Sequence, residues 1–337
     1  MTLNSIGDQA RAYALQVASN RIKTTLSTLT QEVASGQVAD VGQRLEGNTR
    51  ALNEIESRIR LTSQLRQNGS DAAIRLQAIQ DVFASVRLST TELGFALAVD
   101  PFGDAAVLGT RSAEVANAFE SVIQRLNGTN SNRYLFSGEA SDVVPLSSAA
   151  EMLDILQGIT APLTTAADVA QAVSDWFDAP EGGGGFLDTA YHGTLGPAQR
   201  ISVGEGVAVP METTGASAAV RDLLKGLAMG AVMDRGALAG NPVERRQLMT
   251  TAGLQMTVAD SSMLSEMGRV GLAQQVVERA QVTGTSSLNA LERARGEIRS
   301  ADPFETAAAL TEVQGQLEAL YAVTARLSKL KLVDYLR

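Results

Sequence analysis

Apolar residues recur every three or four positions along most of the chain, and this spacing predicts long helices. The most regular series predicts one helix over about 45–99, whose apolar positions alternate by three and four residues as in the seam of a coiled coil. These positions are Leu76, Ile79, Phe83, Val86, Thr90, Leu93 and Leu97. After the break at Asp100–Gly103, Val115, Phe119, Val122 and Leu126 predict a further helix. The short break favours an antiparallel packing of the two helices.

Both ends of the chain carry the same helical spacing. The first helix is predicted over about 8–35, with Ser35-Gly36 as its stop. The last helix carries an apolar stripe that Tyr321 and Val323 widen. A wide stripe suits contact with more than one neighbour, although it can also lie in the closed core of one chain. We predict an assembly interface made of Ile22, Leu26, Leu29, Val33, Leu310, Val313, Leu317, Leu320, Tyr321 and Leu327.

Two similar start signals predict the long helices of the second half of the chain. Asn241-Pro242-Val243-Glu244 and Asp302-Pro303-Phe304-Glu305 each combine a capping side chain with proline at the first helical position. The glutamate of each signal is expected to reach back to the cap. We predict a helix from Pro242 towards Ser300, which its glycines could interrupt, and another from Pro303 almost to the chain end.

The middle of the chain, at about residues 127–217, has a different composition from the helical parts on either side. It holds five of the eight prolines, the run Gly182–Gly185 and alternating stretches at Arg200–Val203 and Val207–Met211. Residues 139–217 contain eleven Asp or Glu against one Arg, a balance of −10, and the net charge of −9 leaves +1 for the rest of the chain. This acidic excess disfavours nucleic acid and membrane as partners. We predict a small α+β insertion, with helices near 149–157 and 166–177.

These patterns together predict a mainly α fold. It is an elongated antiparallel helical bundle or coiled coil formed by both chain ends, with a small α+β insertion. We expect terminal helices at 1–44 and 301–337 to form an inner polymerisation region. Residues 45–138 and 218–300 are expected to form a rod of long helices, and 139–217 an acidic insertion that faces outward.

The sequence offers little to support catalysis. The chain has no cysteine and a single histidine, His192, which we interpret as a surface residue. Gly182–Gly185 lacks a following Lys-Ser or Lys-Thr, so a flexible connector is preferred to a phosphate-binding loop. Trp176 is interpreted as part of the core of the insertion. We therefore predict no catalytic, metal or cofactor site and no enzyme.

One segment resembles a known family. Asn132–Gly138 reads NRYLFSG after an amphipathic helix, and this is similar to a signature of the flagellin-like hook-associated proteins. The signature residues are Arg133, Tyr134, Leu135, Phe136 and Gly138. The runs Ala307–Thr311 and Gln316–Tyr321 resemble the closing helix of that family, and Ala34-Ser35-Gly36 resembles the end of its first helix. The Asp-Asp-Pro that usually follows Ser-Gly is absent, since residues 38–46 read VADVGQRLE.

The resemblance implies a structural subunit of the bacterial flagellum at the junction of hook and filament. It implies a ring homo-oligomer whose partners are the first hook-associated protein and flagellin, with an export chaperone and the flagellar export apparatus. It also implies an extracellular location reached without a cleaved signal peptide. Residue spacing alone indicates only a self-associating helical rod.

Two other functions remain alternatives. Filament flagellin is the first, although NRYLFSG favours the junction protein. A cytoplasmic coiled-coil signalling module of the chemoreceptor type is the second, because its heptads are also rich in Ala, Gln and Thr. The acidic insertion that interrupts the helices argues against such a module.

Overall fold

The computed structural model describes the backbone of residues 3–99 and 105–335 and the side chains of residues 9–99 and 107–326. This part of the chain forms ten helices and four short strands, so the mainly α fold class is confirmed. They are α1 Leu3–Ser35, α2 Val41–Arg44, α3 Arg50–Val99, α4 Ala105–Leu126, β1 Thr129–Asn130, β2 Arg133–Tyr134, α5 Ala149–Thr160, α6 Ala166–Asp178, α7 Phe186–Thr189, β3 Gln199–Gly204, β4 Val207–Met211, α8 Ala218–Ala231, α9 Pro242–Arg299 and α10 Pro303–Tyr335.

The chain divides into two compact units, and the division falls inside the two longest helices. Residues 1–61 and 286–337 belong to the first unit, which we call the terminal unit. Residues 62–285 belong to the second, which we call the central unit. The acidic segment 139–217 lies within the central unit. The three-part division expected from the sequence stays a prediction.

The central unit has a well-packed hydrophobic core, and the coiled-coil seam of α3 forms one wall of it. All seven seam positions are buried, as are the four apolar positions expected on α4. Phe83 of the seam packs against Phe136, with ring centroids 5.5 Å apart. The spacing of three and four residues therefore identified the buried faces of both helices.

The acidic segment contributes its own residues to this core. Trp176 is buried with its ring edge-on to Phe177 and Phe186, at centroid distances of 4.8 and 5.8 Å. This confirms its interpretation as a core residue. The segment is also joined to α8, because Lys225 Nζ lies 2.5 Å from Asp178 Oδ2. The two predicted strands form an antiparallel hairpin, with an irregularity between Ser202 and Gly204.

Helix α9 is continuous through its glycines, and two glycines allow it to approach α3 closely. A Cβ atom at Gly94 would lie 2.9 Å from the Met256 Cβ, and one at Gly253 would lie 2.4 Å from the Ala98 backbone nitrogen. Real Cβ atoms do not approach this closely, so neither position accepts a side chain without movement of a helix. The glycines therefore set the distance between the two helices.

Both predicted helix starts are present, but Glu244 has a different partner from the one expected. Asn241 Oδ1 accepts from the backbone N–H groups of Val243 and Glu244. Glu244 Oε2 instead accepts from the Ala166 N–H at 2.6 Å, and the Asn241 N–H donates to Leu238 O. The expected reach of Glu244 back to the cap is therefore wrong, because both groups are bound elsewhere in the tertiary structure.

Candidate assembly surface

The terminal unit brings the two ends of the chain together, since α1 and α10 contact each other within it. Most of the residues predicted to form an assembly interface are half-buried there. They are Ile22, Leu26 and Leu29 of α1 and Leu310, Val313, Leu317 and Leu320 of α10. Val33 and Tyr321 are exposed, and the side chain of Leu327 lies outside the described residues. The assembly role of the whole set stays a prediction.

Almost nothing in the terminal unit is fully buried. Among its described side chains only Leu52 and Thr306 are buried. Large apolar side chains remain exposed, among them Tyr13 at 71% and Phe304 at 88%. Hydrophobic burial is the main stabilising term in folding, so a helix pair with this little of it gains much by docking against further helices.

The stripe of α10 is exposed on both of its edges. Tyr321 and Val323 are 52% and 48% exposed, and they lie on opposite sides of the half-buried Leu317 and Leu320 at 3.6 residues per turn. Both edges therefore remain exposed while the middle of the stripe is half-buried. This arrangement can accommodate one helix of the same chain and a second from a neighbour.

Hydrogen bonds hold together the two turns that follow α1 and precede α10. The Val38 N–H donates to Arg299 O at 2.9 Å, and the Ala301 N–H donates to Gly36 O at 3.0 Å. The Arg44 guanidinium donates to Ser300 O. Gly36 has a φ of +66°, in the left-handed region that favours glycine at the end of a helix. These bonds join the end of α1 to the start of α10, so the two helices leave the turns side by side.

The NRYLFSG segment forms a tight hairpin that continues into the core of the central unit. Ser131 and Asn132 have φ of 49° and 63°, as a two-residue turn between β1 and β2 requires. Leu135 and Phe136 are buried, whereas Arg133 is exposed. The signature residues Leu135 and Phe136 therefore stabilise the fold rather than form an exposed surface.

Gly138 fixes the end of this segment. Its φ is +68°, and a Cβ atom there would lie 2.4 Å from Thr194 Oγ1. The Thr194 N–H donates to Ser137 O at 3.0 Å. Sequence reasoning identified the glycine through the family resemblance but contained no sign of its contact with Thr194, which is distant along the chain.

The candidate chemical groups have partners within the chain. Asp188 accepts from the N–H groups of Gly182 and Gly184 at 2.8 and 2.7 Å, and these bonds hold the pKa of its carboxyl below the usual range. The glycine run, expected to be a flexible connector, therefore surrounds a carboxylate of its own chain. His192 is exposed, with its Nε2 2.9 Å from Ser147 Oγ.

Comparison with known proteins supports a fold assignment. No family model matches the sequence, and no curated protein matches it. The fold defines a class of mainly helical proteins in which both chain ends pair and the middle of the chain carries a small α+β segment. The crystal structure of Bacillus cereus FlgL has a TM-score of 0.50 at 13% identity, covering 72% of this chain and 99% of that chain. The predicted resemblance is thus confirmed as a shared fold.

A second solved structure also matches. It is a Vibrio parahaemolyticus protein with a provisional assignment as a flagellar hook-associated protein. Its TM-score is 0.38 at 13% identity, and the match covers 76% of this chain and 94% of that chain.

Proposed function

We propose that this chain is a structural, non-catalytic subunit of the bacterial flagellum, located at the junction of hook and filament. The observation that carries the proposal is the fold shared with Bacillus cereus FlgL along 99% of that chain. The NRYLFSG segment adds support from the sequence, since it resembles a signature of the flagellin-like hook-associated proteins and favours the junction protein over filament flagellin.

The terminal unit supplies the physical reason for assembly. Its helices cover only the middle of their apolar stripes and leave Tyr13, Phe304 and Tyr321 exposed. In the proposed ring, neighbouring copies cover these residues. The first hook-associated protein and flagellin occupy the two sides of the ring. Before assembly an export chaperone shields the same residues, and the chain leaves the cell through the flagellar export apparatus.

The acidic segment 139–217 has a different place in the proposed assembly. Its charge of −10 would produce strong repulsion if copies stacked this segment against one another. We therefore place it on the outer surface of the ring, where water and salt screen the charge.

Immunogold microscopy of intact cells tests the proposal. An epitope inserted between Glu205 and Gly206, in the exposed turn of the β3–β4 hairpin, provides the label without touching either chain end. We expect gold only at the boundary of hook and filament, and none in a strain that carries the untagged protein. Gold along the whole filament would identify a flagellin, and gold inside the cell would identify a cytoplasmic module.

A further inference from the structure

A cavity of about 290 Å³ lies between strand β4 and helices α3 and α9 of the central unit. Apolar side chains from all three elements form most of its walls, among them Leu76, Ile79, Val209, Val270, Leu272 and Val276. Leu272 and Val276 are exposed, so the cavity is open to solvent on the α9 side. Sites for small molecules span about 300–1,000 Å³, and this cavity is therefore of a size for a small ligand.

One wall of the cavity carries a buried carboxylate. Glu266 of α9 lines the cavity and is only 2% exposed. Its Oε1 accepts from Thr213 Oγ1 at 2.7 Å, and its Oε2 accepts from the Arg269 guanidinium. An ionised carboxylate can accept about four hydrogen bonds, so these two bonds leave Glu266 with acceptor capacity for a ligand. A buried polar group beside an apolar cavity is the arrangement that orients ligands in binding sites.

The charges of the cavity lining favour a cation. The lining holds two carboxylates, Glu212 and Glu266, and one guanidinium, Arg269, so its net charge is −1. The side chain of Arg269 is 64% exposed, whereas that of Glu266 is 3% exposed. Water and salt screen the exposed guanidinium more strongly than the buried carboxylate. A positive group inside the cavity therefore interacts mainly with Glu266.

The apolar walls favour an organic cation over a metal ion. A hard cation such as Ca²⁺ takes about six to eight oxygen ligands, and the lining offers two carboxylates among aliphatic side chains. A primary ammonium group instead needs acceptors for three N–H donors. A short alkyl chain attached to it gains by leaving water for walls of Leu, Ile and Val.

We propose that this cavity binds a small aliphatic amine in its ammonium form. The ammonium group donates to the buried carboxylate of Glu266, and the exposed Glu212 adds a second negative charge. The alkyl chain contacts Val209 and Val270 on the walls. The site belongs entirely to the central unit, and the proposal does not depend on the flagellar role.

Binding of hexylammonium to the full-length chain tests the proposal. Methyl NMR signals of Val209, Val270 and Val276 report on the cavity. The methyl signals of Val143, exposed in the acidic segment and outside the lining, report non-specific attraction of cations. We expect saturable shifts at the three lining valines with hexylammonium, and weaker binding of the neutral hexanol and the anionic hexanoate. No shift at the lining valines, an equal shift at Val143, or tighter binding of hexanol or hexanoate would overturn the proposal.

Removal of the buried charge gives a second test. Glu266→Gln keeps the size of the side chain and should weaken hexylammonium binding by about tenfold or more, because a hydrogen bond to a charged acceptor is lost. Glu278→Gln makes the same change on the same helix, at an exposed position outside the lining, and should leave the affinity unchanged. Equal affinities of the two variants would contradict the proposal.

A cavity-filling variant leaves the carboxylate in place. Glu266→Gln also alters the bonds to Thr213 and Arg269, so a loss of binding could arise from a change in the fold. Ala273 lines the cavity, and Ala273→Leu should abolish hexylammonium binding by occupying its volume, whereas Ala273→Ser should keep it. Thermal unfolding establishes that each variant is folded. Binding retained by Ala273→Leu would place the amine elsewhere and overturn the proposal.

A purely structural role for Glu266 predicts a different set of results. In that case Glu266 only joins the end of β4 to α9 through Thr213, and Glu266→Gln lowers the thermal midpoint while hexylammonium shifts none of the lining valines in the unaltered protein. That outcome would refute the amine site. It would leave the flagellar role intact, because immunogold labelling does not depend on the cavity.

Discussion

The terminal and central units are built from the same kind of helix, but they bury their apolar residues to very different extents. In the central unit every seam residue from Leu76 to Leu97 is buried. In the terminal unit the corresponding stripe from Leu310 to Leu320 is only half-buried. The comparison teaches that a spacing of three and four residues predicts an apolar face without specifying what covers it. In one unit the covering elements come from the same chain, and in the other they are incomplete.

The difference has an energetic consequence. A core that excludes water opens only with the global free energy of unfolding, whereas poorly covered helices open locally at little cost. The central unit should therefore fold as a monomer, and the terminal unit should depend on neighbours for much of its order. The following experiments test this contrast, beginning with the largest effect.

Amide hydrogen exchange in the free monomer should show the contrast most strongly. Amides of α3 between Leu76 and Leu97 should exchange only on global opening, at about 5–15 kcal/mol. Those of α1 and α10 should exchange at a free energy near zero. Limited proteolysis should likewise trim both chain ends first. The polymerised protein is the control, because its terminal helices should become protected. Equal protection of both units in the monomer would remove the basis of the comparison.

Replacing a ring in the central core should have the next largest effect. Phe83 is fully buried against Phe136, so Phe83→Ala should lower the free energy of unfolding by about 3–5 kcal/mol. Denaturant unfolding measures the loss. Leu88→Ala, one turn and a half further along the same helix but 85% exposed, should change stability by less than about 0.5 kcal/mol. Similar losses for the two variants would show that the core is not where the structure places it.

Leu317→Ser with Leu320→Ser should weaken the terminal unit and leave the central unit unchanged. A fully buried leucine contributes about 1.5–3 kcal/mol, so two half-buried ones together contribute about that amount. If the proposed function is correct, cells that make only this variant should have hooks without filaments and should release flagellin into the medium. Motility and secreted flagellin are the measurements.

A polar change on the exposed side of α10 is the control for that variant. Glu318→Ser alters an exposed position between the two leucines and should leave motility normal. Normal swimming with full-length filaments in the double-serine variant would show that this stripe does not dock.

Asp260→Asn should have the smallest effect, a loss of about 1 kcal/mol at neutral pH, because Asp260 binds Arg87 and Thr91 at a partly buried site. Arg87 lowers the pKa of Asp260 in the folded state. The stabilisation is therefore fully present above the ordinary aspartate pKa of about 3.9 and is lost as the pH falls below it. Asp81→Asn is the control, since its exposed carboxylate accepts a hydrogen bond from Gln77, one turn away on the same helix. A stability difference between the variants that persists at pH 2 would contradict this assignment.

Much of the local structure could be predicted from the residues because local physics decides it. Asn241 and Asp302 cap α9 and α10, and the spacing of apolar residues identified the buried faces of α3 and α4. The β1–β2 hairpin was missed, since its strands have two residues each and offer no alternation to detect. The partner of Glu244 was also wrong, because Ala166 is remote in sequence and only folding brings it near.

The exposed apolar surfaces also differ in how far the sequence predicted them. The stripe of α10 and its wide edge at Tyr321 and Val323 were evident from the residues, because helical geometry converts sequence spacing directly into angular position. The exposure of Leu88 and Phe95 on α3 was not evident, because both residues read as ordinary members of an apolar helix until the core side of that helix is known.

The residues alone identified the end of α1 at Ser35 and the starts of α9 and α10, and they showed which apolar positions share a face. They did not identify the separate short helix α2, because the helix predicted over about 45–99 begins only at Arg50. Capping, glycine stops and helical spacing act over a few residues, and every such rule can be read within one segment. Which of those faces the chain covers for itself became evident from the folded structure alone. Burial is a property of contacts between distant segments, and in the described residues it is nearly complete along the seam of α3 but only partial along the stripes of α1 and α10.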